Sequence, residues 1–336
     1  MKNILKYGFM ACLATVAVTS CSDWTDPEPV GVKFETAGDK DPDAYARYLE
    51  NLRAYRNNGH KKFYAWFANQ ASFSSQAHHV SAVPDSIDVL VLHKPSLVNQ
   101  TLRSEMDKKR SDTGMKMAYT VDYAAIRASW TSKKELATPE NPAPEWGAFM
   151  ADSLDVALSY ADAVGFDRII VAYDGKQTSG MTAAEKAEYE ADQQAFLNPV
   201  RNWISGHKDK GFDFLGAPAN LTDVSFLADA GVIFLSESAK ATNMNEYSFL
   251  VSRNTVSGMP SDRFAMMAAL PVLDENQAAV GYWGDKYSSW QMAMWCNGAV
   301  VANAAGVTNL ADDYYDPHFS YKVCRGAIQL LNPAAK

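Results

Sequence analysis

Short runs of apolar, largely β-branched residues alternate with amphipathic helical stretches from residue 61 onward. This alternation is typical of a parallel sheet whose strands are joined by helices. The predicted strands are Lys62–Phe67, Ile87–Leu92, Met115–Val121, Arg168–Tyr173, Phe212–Leu215, Gly231–Leu235, Phe264–Leu270 and Gly298–Ala302. Eight strands with intervening helices predict the α/β class and a single closed (β/α)8 barrel, the TIM-barrel architecture, rather than an open doubly wound sheet.

The predicted helices lie between these strands, at Pro95–Lys109, Glu145–Ala163, Thr182–His207, Thr222–Ala230 and Ser288–Cys296, with one before the first strand at Asp41–Arg56 and one at the end at His318–Leu331. One barrel commonly needs about 250 residues or more, so we expect residues 41–336 to form a single domain. The sequence has no Gly-rich phosphate loop, and therefore nothing in it favours nucleotide binding.

The first 20 residues have the pattern of a lipoprotein signal peptide. Lys2 and Lys6 precede an apolar run at residues 7–18, which is too short to span a bilayer. Val18-Thr19-Ser20-Cys21 resembles a bacterial lipobox, in which Cys21 is lipidated; the alternative is an ordinary secretory signal with an incidental cysteine. Residues 21–40 contain acidic residues and prolines and predict a flexible tether. We therefore expect an outer-membrane lipoprotein exposed at the cell surface.

The charge balance excludes one class of partner. The chain has 31 Lys and Arg against 39 Asp and Glu, and losing Lys2 and Lys6 with the signal leaves 29 basic residues. A protein this acidic has no basic surface for a phosphate backbone, so nucleic acid is not an expected partner. No Cys or His spacing indicates a metal site, and we expect no cofactor. Cys296 and Cys324 are either a disulfide or two buried thiols.

Gly165–Asp174 carries the most informative motif. It resembles the fourth barrel strand of glycoside hydrolase family 18, whose pattern is D-x-x-D-x-D-x-E. This chain keeps the first Asp as Asp167, has Ile170 and Ala172 at the next two acidic positions, and has Asp174 in place of the Glu. The final segment, Asp312–Tyr315 with Arg325–Pro333, resembles the last barrel turn of bacterial lipoprotein members of that family. Those members include endo-β-N-acetylglucosaminidases that cut the chitobiose core of N-glycans.

The resemblance implies a substrate-assisted mechanism, in which the N-acetyl oxygen of the sugar attacks the anomeric carbon and the Glu protonates the leaving oxygen. The preceding Asp orients the acetamide and stabilises the cationic intermediate, which Ala172 cannot do. Asp174 is one methylene shorter than Glu. We therefore expect no catalytic residues and little or no hydrolysis; the simpler alternative is that Asp174 is only a strand-end or helix-capping residue.

Residues that follow the predicted strands are the candidates for binding a sugar, because aromatic faces and polar side chains recognise pyranose rings. Trp66 is equally consistent with core and site, whereas Trp283 is expected to be an exposed platform. Two features of the family are altered in this chain. The family's strand six usually carries Met-x-Tyr-Asp, and Phe234–Glu237 stands there instead. The family's strand eight usually supplies a Trp, for which Asn303 is the nearest candidate here. The glycan-binding candidates are Trp66, Asn69, Tyr123, Asp174, Glu237, Tyr282, Trp283 and Asn303.

The leading hypothesis is a lipid-anchored protein that binds oligosaccharides through a hydrolase-derived barrel. The expected ligand class is N-acetylglucosamine-containing host glycans. The resemblance implies a SusD-like glycan importer complex as a partner. One alternative is an active endo-β-N-acetylglucosaminidase or chitinase-like hydrolase that uses Asp174 together with a carboxylate such as Glu237. Another is a structural lipoprotein that binds a protein.

Overall fold

The computed structural model describes residues 37–273, 276–315 and 320–334. The predicted signal peptide and the predicted lipidation site, Cys21, lie outside the described residues. Of the predicted tether, only Ala37–Lys40 is described, as one helical turn. The described part of the chain falls into two units, which divide between Tyr48 and Leu49. None of the helices in the described part of the chain combines the length and the apolar character needed to cross a bilayer.

Eight parallel strands close into one barrel, which confirms the predicted fold. In chain order they are β1 Lys62–Phe67, β2 Val89–Leu92, β3 Lys116–Asp122, β4 Arg168–Tyr173, β5 Gly211–Gly216, β6 Ile233–Leu235, β7 Phe264–Ala269 and β8 Ala302–Thr308. Each strand pairs with its sequence neighbour, and β8 pairs with β1 to close the barrel. Two short antiparallel pairs, Val272–Leu273 with Ala279–Val280 and Tyr282–Trp283 with Lys286–Tyr287, occupy the loop after β7.

Helices surround the barrel. They are α1 Pro42–Asn57, α2 Gln100–Thr113, α3 Tyr123–Glu135, α4 Trp146–Tyr160, α5 Ala183–Gly206, α6 Met244–Asn254, α7 Ser288–Gly298 and α8 Lys322–Leu331. The start of α5 shows how sequence sets a boundary: Thr182 and Glu185 form a capping box in which each side chain bonds to the other's backbone N–H.

Two element predictions were wrong, and two helices were not predicted. The eighth strand was predicted at Gly298–Ala302, but α7 continues to Gly298 and β8 begins at Ala302. The stretch predicted as a helix at Thr222–Ala230 contains only the 3-10 turn Val224–Leu227. The helices α3 and α6 were not predicted, although Asp122 and Asn243 cap their first turns through side-chain oxygens.

The described residues form two hydrophobic cores, as alternation along barrel strands requires. One lies between the outer faces of the strands and the helices. The other fills the barrel interior and comprises Tyr64, Trp66, Val89, Val91, Ala118, Ile170, Val232, Phe234, Ala265, Met267 and Ala304. The interior is therefore a packed core and not a channel.

A buried charged cluster lies in the lower half of the barrel. Arg168 donates two hydrogen bonds to the carboxylate of Asp213, from Nε at 2.8 Å and from Nη2 at 2.6 Å. The hydroxyl of Tyr64 donates to the same carboxylate at 3.0 Å. Asp213 is fully buried, and its charge is therefore balanced within the protein rather than by water.

Cys296 and Cys324 are buried free thiols, which settles the alternative left by the sequence in favour of no disulfide between them. Burial raises the pKa of Cys296 to about 12 and raises the pKa of Cys324 well above its ordinary value. Both side chains therefore serve as packing groups in the core between the strands and the helices.

A buried histidine is expected to make the stability of the protein depend on pH. His60 Nε2 lies 2.9 Å from Asp88 Oδ1, and this hydrogen bond raises the pKa of His60. A group with a raised pKa stabilises the fold fully below its unfolded pKa, about 6.5, and loses that contribution as pH rises through the folded value. We expect urea unfolding to show His60→Gln less stable than wild type by about 1 kcal/mol near pH 6 and by less near pH 8. A deficit that grows towards pH 8 would contradict this assignment.

Candidate functional site

Of the four motif positions, only Asp174 is an exposed acid at the carboxyl end of the barrel. Ile170 is fully buried in the barrel interior, and Ala172 above it is 8% exposed. Asp174 follows the end of β4 and is exposed. The side chains that would carry negative charge below Asp174 are thus replaced by apolar filling.

Asp167 lies at the other end of β4 and acts as a structural residue. Its Oδ2 accepts hydrogen bonds from Arg110 Nε at 2.8 Å and from the backbone N–H of Met117 at 2.9 Å. These bonds tie α2 and β3 to the start of β4. Asp167 therefore fixes strand geometry far from the mouth of the barrel.

Loops from neighbouring strands hold Asp174. The hydroxyl of Ser236, just after β6, donates a hydrogen bond to Asp174 Oδ1. Asn220 Nδ2 donates to the backbone carbonyl of Asp174 at 2.8 Å. The carboxylate is therefore oriented across the mouth of the barrel, with its second oxygen open to a ligand.

A second carboxylate, which the sequence analysis missed, lies beside this position. Asp122 ends β3 in register with Ala172 of β4. Its Oδ1 accepts from the backbone N–H groups of Ala124 and Ala125 at 2.8 and 3.2 Å, which caps α3. Burial raises the pKa of Asp122, and the nearby charge of Asp174 adds to the effect. An Asp before a helical pattern was the signal that could have identified it.

Trp66 forms the floor of the mouth, and only 6% of it is exposed. Its ring packs edge-to-face against Phe234 with centroids 5.3 Å apart. A Cβ on Gly306 of β8 would lie 2.8 Å from Trp66 Cζ3, so glycine at that position makes room for the ring. The structure therefore places Trp66 mainly in the interior core, below the level at which a sugar would lie.

Asn69 and Glu237 are engaged within the protein. Asn69 is buried, donates from Nδ2 to the carbonyl of Lys94 at 2.8 Å, and accepts from its N–H at 2.9 Å. The Glu237 carboxylate pairs with Arg253 of α6. Glu237 therefore faces α6, and the structure does not bring its carboxylate together with that of Asp174.

The loop after β7 exposes a different aromatic residue from the one expected. Trp283 is half-buried against Tyr247, with ring centroids 5.5 Å apart, and its Nε1 donates to the carbonyl of Ala241 at 2.6 Å. The prediction of an exposed platform at Trp283 is therefore corrected. Tyr282 beside it is 43% exposed and remains available.

The prediction of Asn303 as a glycan-binding residue is also corrected. Because β8 begins at Ala302, Asn303 lies at the amino end of the strand, opposite the mouth. Its Nδ2 donates to the carbonyl of Gly231 at 2.9 Å, which precedes β6. The carboxyl end of β8 is instead Thr308, followed by Asn309, whose Oδ1 accepts from the N–H of Leu270 at 3.1 Å.

A groove of about 1220 Å³ extends from Asp174 along the outside of the barrel. Its walls are α3, the first turn of α4, the segment after β4 and the first half of α5; we call it the α3–α5 groove. The predicted candidate Tyr123 lies in it, together with Arg127, Trp146, Lys176 and Glu188. The groove was not predicted, because no helix was predicted after the third strand.

Two hydrogen bonds and a cation fix the aromatic wall of the groove. Asp192 of α5 accepts from the Tyr123 hydroxyl and from Trp146 Nε1, the latter at 2.5 Å. The Arg127 guanidinium carbon lies 4.3 Å from the ring centroid of Trp146 and 4.8 Å from that of Trp130. Such stacking holds the cation by its attraction to the ring faces. These side chains are therefore rigid before any ligand binds.

The described residues offer no metal centre, since no three His, Cys, Asp or Glu side chains among them come together in a way that could hold an ion. The arrangement at the mouth is two neighbouring carboxylates, Asp122 and Asp174, above an apolar interior. Carboxylate oxygens beside aromatic rings can accept hydrogen bonds from hydroxyl-rich ligands.

Comparison with known proteins gives one family. The family model described as Glycoside hydrolase family 18, BT1044-like, matches residues 25–330. Among curated proteins, none matches this sequence.

Solved structures share the fold at low identity. A selenomethionine form of BT1044 with one Glu-to-Gln substitution is 11% identical, has a TM-score of 0.60, and the match covers 89% of this chain and 96% of that one. YKL-39, solved in the presence of chitooligosaccharides, is 8% identical with a TM-score of 0.54, covering 81% of this chain and 100% of that one. Catalytic domain 2 of the Ostrinia furnacalis Group II chitinase is 9% identical with a TM-score of 0.53, covering 83% and 98%.

Proposed function

The chain belongs to the BT1044-like group of glycoside hydrolase family 18, and from that premise we propose that it binds oligosaccharides while hydrolysing them slowly or not at all. The observation that carries this proposal is the composition of β4. Ile170 and Ala172 fill the barrel interior where the family's motif has carboxylates, and of the four motif positions only Asp174 lies at the mouth as an acid. The resemblance seen in the sequence is confirmed at the level of the family.

The expected loss of hydrolysis has two causes, the missing negative charge at Ala172 and the shorter side chain of Asp174. A sugar that becomes cationic in the transition state needs a fixed negative charge beneath it, and the methyl group of Ala172 supplies none. Asp174 is shorter than the Glu of the motif, and a displacement of about 1 Å can cost on the order of 100-fold in rate. Binding does not require either group to be ideal, because it depends on shape and hydrogen bonds.

The mouth retains the features that hold a sugar. Asp174 is exposed and oriented by Ser236, Tyr282 is exposed on the loop after β7, and Tyr123 lies where the mouth meets the α3–α5 groove. We propose N-acetylglucosamine-containing host glycans as the ligand class, since the solved structures that share this fold include a chitinase domain and YKL-39, which was solved in the presence of chitooligosaccharides.

We also propose that the protein is anchored in the outer membrane and exposed at the cell surface. The support is the lipobox-like Val18-Thr19-Ser20-Cys21 and the acidic tether that follows it. A SusD-like glycan importer complex is the proposed partner. Labelling of cells with radioactive palmitate, with and without Cys21→Ala, tests the anchor.

Calorimetric titration of residues 22–336 against a panel of N-glycans and chitooligosaccharides tests glycan binding. We expect at least one glycan to bind, and Asp174→Asn to weaken it by roughly 10- to 100-fold because a hydrogen bond to a charged group contributes about 1.5–3 kcal/mol. Asp229→Asn is the matched control, since that exposed side chain lies near the amino end of β6. Binding that is equally weakened by both changes, or absent for the whole panel, would contradict the proposal; the latter outcome favours a protein partner.

A working hydrolase is the second candidate, and Asp122 is the observation that favours it. Asp122 lies beside Ala172 in register, so its carboxylate could replace the one lost from β4. Burial raises the pKa of Asp122, which favours the neutral form of its carboxyl group and would weaken that role. Release of glycan that requires both Asp122 and Asp174 would support this candidate.

A further inference from the structure

The α3–α5 groove is large, rigid and acidic, and it opens at Asp174. We infer that it holds a neutral arm of the bound oligosaccharide and discriminates against arms that end in carboxylate- or sulfate-bearing sugars. The inference rests on the proposed function, because the groove can take an arm only if the mouth binds the rest of the glycan. It adds a second contact region and a ligand class that the barrel mouth alone does not specify.

The size of the groove fits several sugar units. Its volume is about 1220 Å³. Pockets that enclose drug-sized ligands are usually about 300–1000 Å³, so this groove exceeds the needs of a single pyranose. Its lining continues from Asp174 to Glu135 at the last turn of α3, which carries it away from the barrel mouth. A glycan arm that leaves the mouth therefore has a continuous path along the outside of the barrel.

The aromatic wall of the groove is fixed before binding. The rings of Tyr123 and Trp146 meet edge-to-face at 6.0 Å, and Tyr123 meets Tyr173 at 5.0 Å. Asp192 accepts a hydrogen bond from both of the first two side chains. Side chains held in this way lose little conformational entropy when a ligand binds. Tyr123 and Trp146 are half-buried, so part of each ring remains open to the apolar face of a pyranose.

The charges of the groove select the ligand. Two basic side chains, Arg127 and Lys176, line it, against five acidic ones: Glu135, Asp174, Glu185, Glu188 and Asp192. A carboxylate accepts several hydrogen bonds from hydroxyl groups, and therefore suits a neutral sugar. An acidic sugar would instead enter a region with three more negative than positive side chains. Arg127 is already counted in this balance, and its guanidinium lies on the rings of Trp146 and Trp130.

The expected discrimination is moderate and depends on salt. Three excess unit charges about 10 Å from an added anion, in water-like dielectric, correspond to about a fivefold to tenfold loss of affinity at low ionic strength. Screening over about 8 Å at physiological salt reduces this, and high salt removes most of it. Salt dependence therefore separates an electrostatic exclusion from a steric one.

The test compares one N-glycan in two forms, with and without terminal sialic acid, by calorimetry at low and high salt. We expect the neutral form to bind at least about fivefold more tightly at low salt, with the difference shrinking at high salt. The double variant Glu135→Gln with Glu188→Gln, which removes two exposed charges of the groove, is expected to reduce the discrimination. Glu50→Gln, an exposed position on α1, is the control and is expected to leave it unchanged.

Hydrogen–deuterium exchange locates the arm independently of affinity. We expect the neutral glycan to slow exchange in α3 and in the first half of α5, beyond the protection at the mouth. Equal affinity for both forms at low salt, or protection limited to the mouth, would overturn the inference while leaving the proposed function intact. Failure of every glycan to bind would overturn both.

Discussion

Incubated with N-glycoproteins, residues 22–336 are expected to release glycan roughly 10⁴- to 10⁵-fold more slowly than a family member with an intact motif. The shorter acid at Asp174 accounts for about 100-fold, because proton transfer is sensitive to a displacement of about 1 Å. The missing charge at Ala172 accounts for a further 100- to 1000-fold, by analogy with the removal of one charge-stabilising group from an oxyanion hole. Mass spectrometry of the released products over long incubations measures the rate.

A variant that restores the two acidic residues at positions 172 and 174 is expected to gain activity. The double variant Ala172→Asp with Asp174→Glu is expected to raise the rate by at least about tenfold, because it returns both the charge and the reach. Asp229→Asn serves as the control, since that exposed side chain lies near the amino end of β6. A wild-type rate close to that of ordinary chitinases, lost in Asp122→Asn, would show that β3 supplies the missing carboxylate and that the protein is an enzyme.

The second large effect concerns stability. We expect Asp213→Ala to lower the free energy of unfolding by about 3–5 kcal/mol, which is the range found when one partner of a buried ion pair is removed. The Arg168 guanidinium would keep its charge without its carboxylate, and the Tyr64 hydroxyl would lose its acceptor. Urea unfolding followed by far-ultraviolet circular dichroism provides the measurement.

An exposed ion pair supplies the comparison. Arg201 Nη2 lies 2.8 Å from Asp223 Oδ2, yet the two side chains are 40% and 39% exposed. Asp223→Ala is expected to cost less than about 1 kcal/mol, because water screens and solvates both charges. If the two substitutions lowered stability equally, the burial of Asp213 would not be the cause of its importance.

The sequence predicted the barrel well wherever strands are rich in β-branched and aromatic residues. The last strand was misplaced because three of the seven residues of Ala302–Thr308 are alanine and one is Gly306, and such residues have little intrinsic preference for strands. Pairing with β1 and β7 forms this strand, together with the need for a small residue under Trp66. Both causes depend on tertiary contacts, which the periodicity of apolar residues in the sequence does not reveal.

The candidate site was predicted only in part for a similar reason. Asp174 was identified because a family motif marks it, and the structure places it at the mouth. Asp122 and the α3–α5 groove were missed, since the groove exists only when Asp192 of α5 approaches Trp146 of α4. Asn69, in contrast, was predicted to bind a glycan and does not lie free to do so. It follows a strand as a binding residue would, but its side-chain amide joins two loops. The position of a residue after a strand does not specify where its side chain points.

The buried thiols of Cys296 and Cys324 have a practical consequence for experiments on this barrel. A thiol must be accessible and at least partly ionised to react with maleimides or iodoacetamide, and the pKa of Cys296, raised to about 12, opposes this at neutral pH. A single cysteine introduced on the rim, for example by Ser132→Cys at the groove, would then be the preferred point for attaching a fluorophore. Ligand entry could be followed in real time without first removing the native cysteines.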